Sequence, residues 1–213
     1  MGSRTGIFVT LEGGEGSGKT TQCRRMVAYL QSLGREVLET REPGGTEAGE
    51  LIRDILLHRV EALSPRAELA LYLASRAQLV EEIVSPALTR GVDVICDRFI
   101  DSSTAYQGEG RDLGVELVER MNDWATAGVV PHLTLFFDVE PETGFERRGS
   151  EDLDRIERED LAFHRKVRAA YLSIAEREER FHVIPTDEGE ERVWQRVQRV
   201  LDHQLQPRKE TRP

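Results

Sequence analysis

Apolar positions along the chain switch repeatedly between two spacings. "GIFVTLE" (6–12), "REVLETR" (35–41), "VDVICD" (92–97), "HLTLFFDV" (132–139) and "FHVIP" (181–185) are short, apolar or β-branched runs, and each predicts a strand. Between them the spacing changes to that of a helix. From Thr20 to Leu33 it brings Met26, Leu30 and Leu33 together and stops at Gly34, a natural terminator. Residues 47–60 place Leu51, Ile55 and Leu56 on one face. A long helical pattern after Ser64-Pro65 runs to Arg90, with Pro86 expected to bend or end it. Helices are predicted again at about 159–180 and through "VWQRVQRVLDHQL", where Val193, Val197, Val200 and Leu201 form a stripe.

Strands that alternate with helices imply right-handed crossovers and a parallel α/β sheet covered on both faces. No internal repeat breaks this order. The chain has 213 residues, enough for one domain with a substantial core, and one domain over 1–206 is the expectation. Residues 149–158, "GSEDLDRIER", are too polar for core and are read as a mobile loop. The tail 207–213 is expected to be disordered.

The net charge of −10 argues against a protein that coats nucleic acid, although a pocket for a small anion needs only a few local cations. No apolar run approaches the ~18 residues that span a membrane, and the first residues lack the apolar core of a signal peptide. Cys23 and Cys96, the only cysteines, sit in apolar contexts and read as reduced structural thiols, which suits a cytoplasmic protein.

The most specific stretch is "LEGGEGSGKTTQ" (11–22). Gly13-x-x-x-x-Gly18-Lys19-Thr20 matches the phosphate-loop pattern, and it lies between a predicted strand and a predicted helix. Glycines let the backbone turn its N–H groups inward around phosphate oxygens, and the helix start adds a positive field. Lys19 is placed for β- and γ-phosphates, and the Thr20 hydroxyl for Mg2+. Gly13, Gly14, Glu15, Gly16, Ser17, Gly18, Lys19, Thr20 and Thr21 are therefore candidate residues for binding a nucleotide's phosphates, ATP's if the chain is a kinase or an ATPase. Glu15 is out of character: a carboxylate in the middle of a phosphate cradle. The loop alone does not name a reaction, because switches, motors and small-molecule kinases share it.

Other segments narrow the choice. "VDVICDR" ends a strand in Asp97-Arg98, a place from which a carboxylate can support Mg2+. "FIDSSTAYQGEGR" follows, with hydroxyls, an amide and Tyr106 suited to reading a base and walling a sugar, although polar loops of this kind are common. "TREPGGTEAGELIR" carries Arg41 and Arg53, which are phosphate ligands if both turn inward and plain surface arginines if they do not. Tyr72 and Arg76 lie four apart on one helix face, a spacing that suits a stacked ring beside a guanidinium. On spacing alone, a half-buried tyrosine beside a surface arginine is the commoner outcome. "FERRGSEDLDRIER" holds Arg147, Arg148, Arg155 and Arg158 among acids, either a closing lid or a solvated charge cluster. No base-reading motif of the G-protein type is evident.

"EGGEGSGKTTQ", "TREPGGT", "DRFIDSSTAYQG" and "LDRIE", in this order and spacing, resemble bacterial thymidylate kinases over about residues 6–205. The resemblance implies transfer of the γ-phosphoryl of ATP to dTMP with Mg2+, in dTTP synthesis. It also implies a three-layer, doubly wound, five-stranded parallel sheet of the nucleoside monophosphate kinase type, and a homodimer. It assigns catalysis to Lys19, Arg98 and Arg155, the last as the arginine of a lid at about 147–158. Glu15 falls at the acidic position that reaches the 3′-hydroxyl of the acceptor. Arg53 and Arg98 fall at positions for its phosphate, Tyr72 and Arg76 at positions for thymine, Ser103 and Gln107 in the base-reading stretch, and Tyr106 where a ring crowds a ribose 2′-hydroxyl. Asp97 and Thr20 are the implied Mg2+ residues, partly through water. Two features depart from the pattern: Phe99 stands where relatives often have Tyr or His, and Glu151 and Asp152 add acids to the lid, which leaves Arg147 and Arg148 as alternatives to Arg155. A kinase for another nucleotide or nucleoside on the same fold is the alternative reading, and a nucleotide switch or assembly ATPase a more distant one.

Overall fold

In the computed structural model, residues 6–149 and 153–205 are described. The five predicted strands form, as β1 Phe8–Glu12, β2 Val37–Arg41, β3 Asp93–Asp97, β4 Leu133–Asp138 and β5 Phe181–Pro185. They make one sheet in the order β2-β3-β1-β4-β5, and all pairs are parallel. Leu11 pairs with Asp97, and Asp97 with Arg41, so the C-terminal ends of β1, β2 and β3 lie level. That edge is where open α/β sheets bind ligands.

Alternation along the strands sorts the core into two layers. Val9, Leu11, Ile95, Leu135 and Phe137 face α1 (Lys19–Ser32) and α9 (Glu190–Leu205), meeting Met26, Leu30, Val193, Val197 and Leu201. On the opposite face Phe8, Val94 and Cys96 pack under α3 (Pro65–Leu79) and α4 (Ser85–Thr89), while Phe136 and Phe181 lie under α8 (Leu161–Arg177). The doubly wound, three-layer arrangement is therefore present. Cys23 and Cys96 are both free and buried in it.

Local chemistry explains the helix starts. The Thr46 hydroxyl accepts from the N–H of Gly49 to cap α2 (Glu47–Asp54), Ser64 caps α3 ahead of Pro65, and Asp160 accepts from Phe163 to cap α8. Pro86 neither ends nor sharply breaks the long helix. The wide turn Val80–Val84 opens the helical ladder just before it, and α4 then continues, which accommodates a residue that lacks an N–H.

Three helices lie where none was expected. "FIDSSTAYQGEGR" is helical, as α5 (Ile100–Ser103) followed by a wide turn over Thr104–Gly110. Its hydroxyls and glycines are weak helix formers, and it holds its shape through packing against α8 and α6 (Val115–Thr126), the second unforeseen helix. The third is α7 (Pro141–Arg148), so Arg147 and Arg148 sit at a helix C-terminus and not in a loop. Of the expected mobile loop, residues 150–152 and with them Glu151 and Asp152 lie outside the described residues, as does the tail 207–213. Residues 153–158 form a compact turn: Asp154 accepts at its carboxylate from the N–H groups of Ile156 (2.8 Å) and Glu157 (2.9 Å).

Two glycines bring backbones into direct contact across the site. A Cβ on Gly16 of the cradle would meet the carbonyl oxygen of Gly144 in α7 at 2.1 Å. A Cβ on Gly144 would meet the carbonyl oxygen of Glu15 at 2.4 Å. Only glycine permits this approach from either side.

Candidate active site

The cradle leaves β1 at Glu12 and enters α1 at Lys19, with Gly13, Gly16 and Gly18 all at positive φ. The Ser17 hydroxyl donates to Gly14 O at 2.7 Å and closes the loop on itself. Lys19 Nζ donates to the carbonyls of Gly13 and Gly14, both at 2.9 Å. Burial and the charge of Arg98 pull this ammonium below the usual lysine value, while Glu15, Asp97 and Glu12 oppose the shift. Thr20 and Thr21 are exposed at the lip.

Beside the cradle opens a cavity of about 350 Å³, within the size range of small-ligand sites. Its wall takes Glu15 and Lys19 from the cradle, Arg41 and Arg53 from β2 and α2, Tyr72 and Arg76 from α3, and Asp97 and Arg98 from the end of β3. Ser103, Tyr106 and Gln107 close it from the α5 side. Nearly every residue singled out from the sequence thus meets in one place.

Arg98 lies at the centre. Its φ of 69° is the left-handed region, unusual for a residue with a side chain. Nη2 donates to Glu15 Oε1 at 2.9 Å, and the guanidinium lies 5.2 Å from the centre of the Tyr106 ring. Burial tends to raise the Glu15 carboxyl, but Lys19 and Arg98 outweigh it and hold this group below the usual glutamate value. The misplaced charge of the cradle is therefore a paired one.

The anion-binding wall is built from two nearby arginines. Arg53 Nη1 donates to Pro43 O at 2.9 Å, and burial followed by repulsion from Arg41 lowers its pKa. Arg41 is about half exposed and paired with Glu50 at 2.9 Å. An arriving anion relieves the repulsion between the two guanidiniums. For a divalent cation, Asp97 Oδ1 is buried without a hydrogen-bond partner, and Thr20 shares the same cavity. One orphaned carboxylate oxygen and one hydroxyl suit Mg2+, which takes few protein ligands and keeps phosphate and water around it.

Two of the expected residues are engaged elsewhere. Arg76 is fully buried, and each guanidinium nitrogen already has an acceptor. Nε bonds Glu42 at 2.8 Å, Nη1 bonds Ser103 and Asn122, and Nη2 bonds Phe99 O at 3.0 Å. It braces the floor of the cavity and does not present a free donor. Arg155 is not brought to the cradle. Its Nε donates to Leu56 O at 2.9 Å, and Nη1 pairs with Glu68 at 2.6 Å. Arg148, at the end of α7, is the arginine of this stretch whose charge acts on Glu15 of the cradle, and it pairs with Glu157 at 2.8 Å.

Sequence reading passed over Glu68 and Glu12. The fully buried Glu68 carboxylate receives Gln107 at 2.9 Å, Arg111 at 3.2 Å and Arg155 at 2.6 Å. The available signal was its spacing, since Glu68, Tyr72 and Arg76 recur every four residues on one helix face. Glu12 is an acid ending an apolar strand directly before the cradle. Gly144 offered no signal.

The family model described as Thymidylate kinase matches residues 11–197. A thymidylate kinase of Deinococcus radiodurans is 46% identical over 200 residues, covering 90% of this chain and 96% of that protein. One of Thermosipho africanus is 43% identical over 200 residues, covering 94% and 100%. The crystal structure of thymidylate kinase from Ehrlichia chaffeensis superposes with a TM-score of 0.79 at 33% identity, covering 92% of this chain and 99% of that one. The chain belongs to the thymidylate kinase family.

Proposed function

We propose that the protein transfers the γ-phosphoryl of ATP to dTMP, giving dTDP and ADP on the way to dTTP. The observation that carries this reading is the shared cavity: the cradle with Lys19 opens onto the same space as Arg41, Arg53, Arg98 and Tyr72. A donor held by the cradle then faces an acceptor whose phosphate meets arginines and whose base meets a ring.

The acceptor oxygen belongs to a phosphate monoester whose second pKa is about 6, so it is anionic at neutral pH and no general base is required. Catalysis then rests on alignment and charge neutralisation. Lys19 would leave the Gly13 and Gly14 carbonyls for donor phosphate oxygens. Arg98 and Arg53 would grip the acceptor phosphate. Glu15, released from Arg98 as that phosphate arrives, would accept from the sugar hydroxyl. Tyr72 would stack on the base, Gln107 and Ser103 would line its edge, and Tyr106 would crowd position 2′ of the sugar. Arg76 would contact the base only by exchanging one of its present partners, so bracing is its better-supported role. Mg2+ would be held by Thr20 and, through water, by Asp97, and it supplies charge neutralisation on the donor phosphates. On the lid, Arg148 is better placed than Arg155 to reach the phosphoryl group in flight, and Arg155 belongs with the acceptor wall.

A homodimer is part of the proposal. On α6, Leu117, Met121 and Trp124 share a face, and Trp124 is 79% exposed. Among the described residues no helix is long and apolar enough to cross a membrane, and a cytoplasmic location is proposed from the reaction.

A coupled ADP-release assay with ATP and Mg2+ across the common nucleoside monophosphates tests the assignment. Turnover with dTMP well above the others is expected. A preference for another monophosphate, or ADP release that needs none, overturns it.

A further inference from the structure

We propose that Glu12 is a positioning residue for Arg98: it grips the chain just beyond that arginine and so sets the direction of its guanidinium. This rests on the assignment of Arg98 to the acceptor phosphate.

Glu12 is fully buried at the end of β1, in a strand that is otherwise apolar or carries the small Thr10. A buried carboxylate is costly unless its oxygens are well satisfied. Here Oε1 accepts from the N–H of Phe99 at 2.8 Å. Oε2 accepts from the hydroxyls of Ser102 at 2.6 Å and Tyr171 at 2.8 Å. The neighbouring residue completes the grip, because Arg98 N–H donates to Leu11 O at 2.9 Å. The peptide groups on both sides of Arg98 are thus tied to two consecutive residues of β1.

What this grip holds is a conformation the chain would not choose. Arg98 has a φ of 69°, and such a residue persists only where its surroundings over-determine it. With extended backbone its side chain would leave the sheet in another direction. In the conformation held here, Nη2 meets Glu15, and Nη1 lies 3.4 Å from both Ser102 Oγ and Tyr106 Oη. Ser102 therefore links the two residues a second time, donating to Glu12 and accepting from Arg98. Glu12 acts on the arginine at its backbone and, through one hydroxyl, at its tip. None of these hydrogen bonds involves Lys19 or a glycine of the cradle.

A carboxylate that merely ties β1 to α5 and α8 would show the same bonds, so the test must separate the two roles. Glu12→Ala, Glu12→Gln, Arg98→Ala and the double variant Glu12→Ala/Arg98→Ala are assayed for dTMP phosphorylation beside the wild type, with KM measured for both substrates. Glu12→Ala is expected to lower kcat/KM for dTMP by about tenfold or more while the ATP KM moves by less than about twofold. Glu12→Gln is expected to recover most of that loss, since its amide oxygen can take the Phe99 N–H and its NH2 can donate to the Ser102 or Tyr171 hydroxyl. In the Arg98→Ala background the same Glu12→Ala change is expected to cost less than about twofold, because it acts through the arginine. Additive losses in the double variant, equal rises in both KM values, or a glutamine variant as impaired as the alanine one would each overturn the proposal. Should thermal melts show Glu12→Ala unfolded, the cycle with Ser102→Ala in its place decides the question by the same criteria. Failure of the wild type to use dTMP would count against the reaction, not against the positioning.

Discussion

Arg155 and Glu68 form a 2.6 Å ion pair that fastens the turn at 153–158 to α3. Glu68 also holds Gln107, so the arginine is joined through one carboxylate to the wall of the cavity. Arg148, on the other side of the same segment, bears on Glu15 of the cradle. Arg155→Ala is therefore expected to raise the dTMP KM by roughly tenfold and change kcat less, as befits a partner removed from a buried pair. Arg148→Ala is expected to do the reverse, lowering kcat by about a hundredfold with small changes in KM. Steady-state kinetics of the two variants decide the assignment.

Lys19 is buried and satisfied by groups of the cradle itself, the Gly13 and Gly14 carbonyls and the Ser17 hydroxyl. Its replacement by alanine removes the charge placed for the transferring phosphoryl group and leaves the sheet intact. Turnover should fall by roughly 10²–10³-fold, and the melting temperature should stay close to that of the wild type. Near-normal turnover would remove Lys19 from the mechanism.

The Glu15–Arg98 pair lies in the wall of the cavity beside the cradle. Glu15→Gln keeps the shape and removes the charge. The dTMP KM is expected to rise by about 10- to 150-fold, in line with the loss of a charge-assisted hydrogen bond worth about 1.5–3 kcal/mol, while the ATP KM holds. Equal effects on both substrates would make Glu15 a structural member of the loop.

Burial, with Asp101 nearby, pushes the Glu12 carboxyl up from 4.5 to about 7, against the opposing pull of Ser102, Arg98 and Tyr171. A carboxyl raised on folding binds its proton more tightly in the native state than in the unfolded one. Between pH 4.5 and 7 the native state holds the extra proton, so this group's contribution to stability declines as pH rises through that window, by at most about 1.4 kcal/mol per unit. Glu12→Gln lacks this dependence. The difference in unfolding free energy, wild type minus variant, should become less favourable from pH 5 to pH 7.5, and a flat difference would contradict the shift.

Trp124 and Leu117 are the large apolar side chains that α6 exposes. Trp124→Glu is expected to convert a dimer into a monomer in light scattering at micromolar concentration. A wild type that is itself monomeric there would refute the proposed dimer.

The strands and the cradle were legible because their signals are local: an apolar run, a glycine spacing, a lysine. Arg41, Arg53, Tyr72 and Gln107 were legible as candidates, but only the level ends of β1, β2 and β3 bring them to one cavity. What stayed hidden depends on distant partners. Glu68 looks like any acid on a helix until Gln107 and Arg111 arrive from one distant segment and Arg155 from another. The helix over 100–110 contradicts the propensities of its serines and glycines, and contacts from α6 and α8 override them. Arg155 shows the same limit in reverse: its motif marks a lid arginine, while its partner Glu68 lies 87 residues away.

The contact between Gly16 and Gly144 works as a spacer of zero thickness. Because neither residue has a side chain, the height of α7 above the cradle is set by backbone against backbone. A methyl group at position 144 would act as a shim, raising α7 and with it Arg148 while leaving the cradle sequence untouched. The position of Arg148 is thus tied to the absence of atoms, and a series of shims of increasing size at 144 would convert that position into an adjustable dimension of the enzyme.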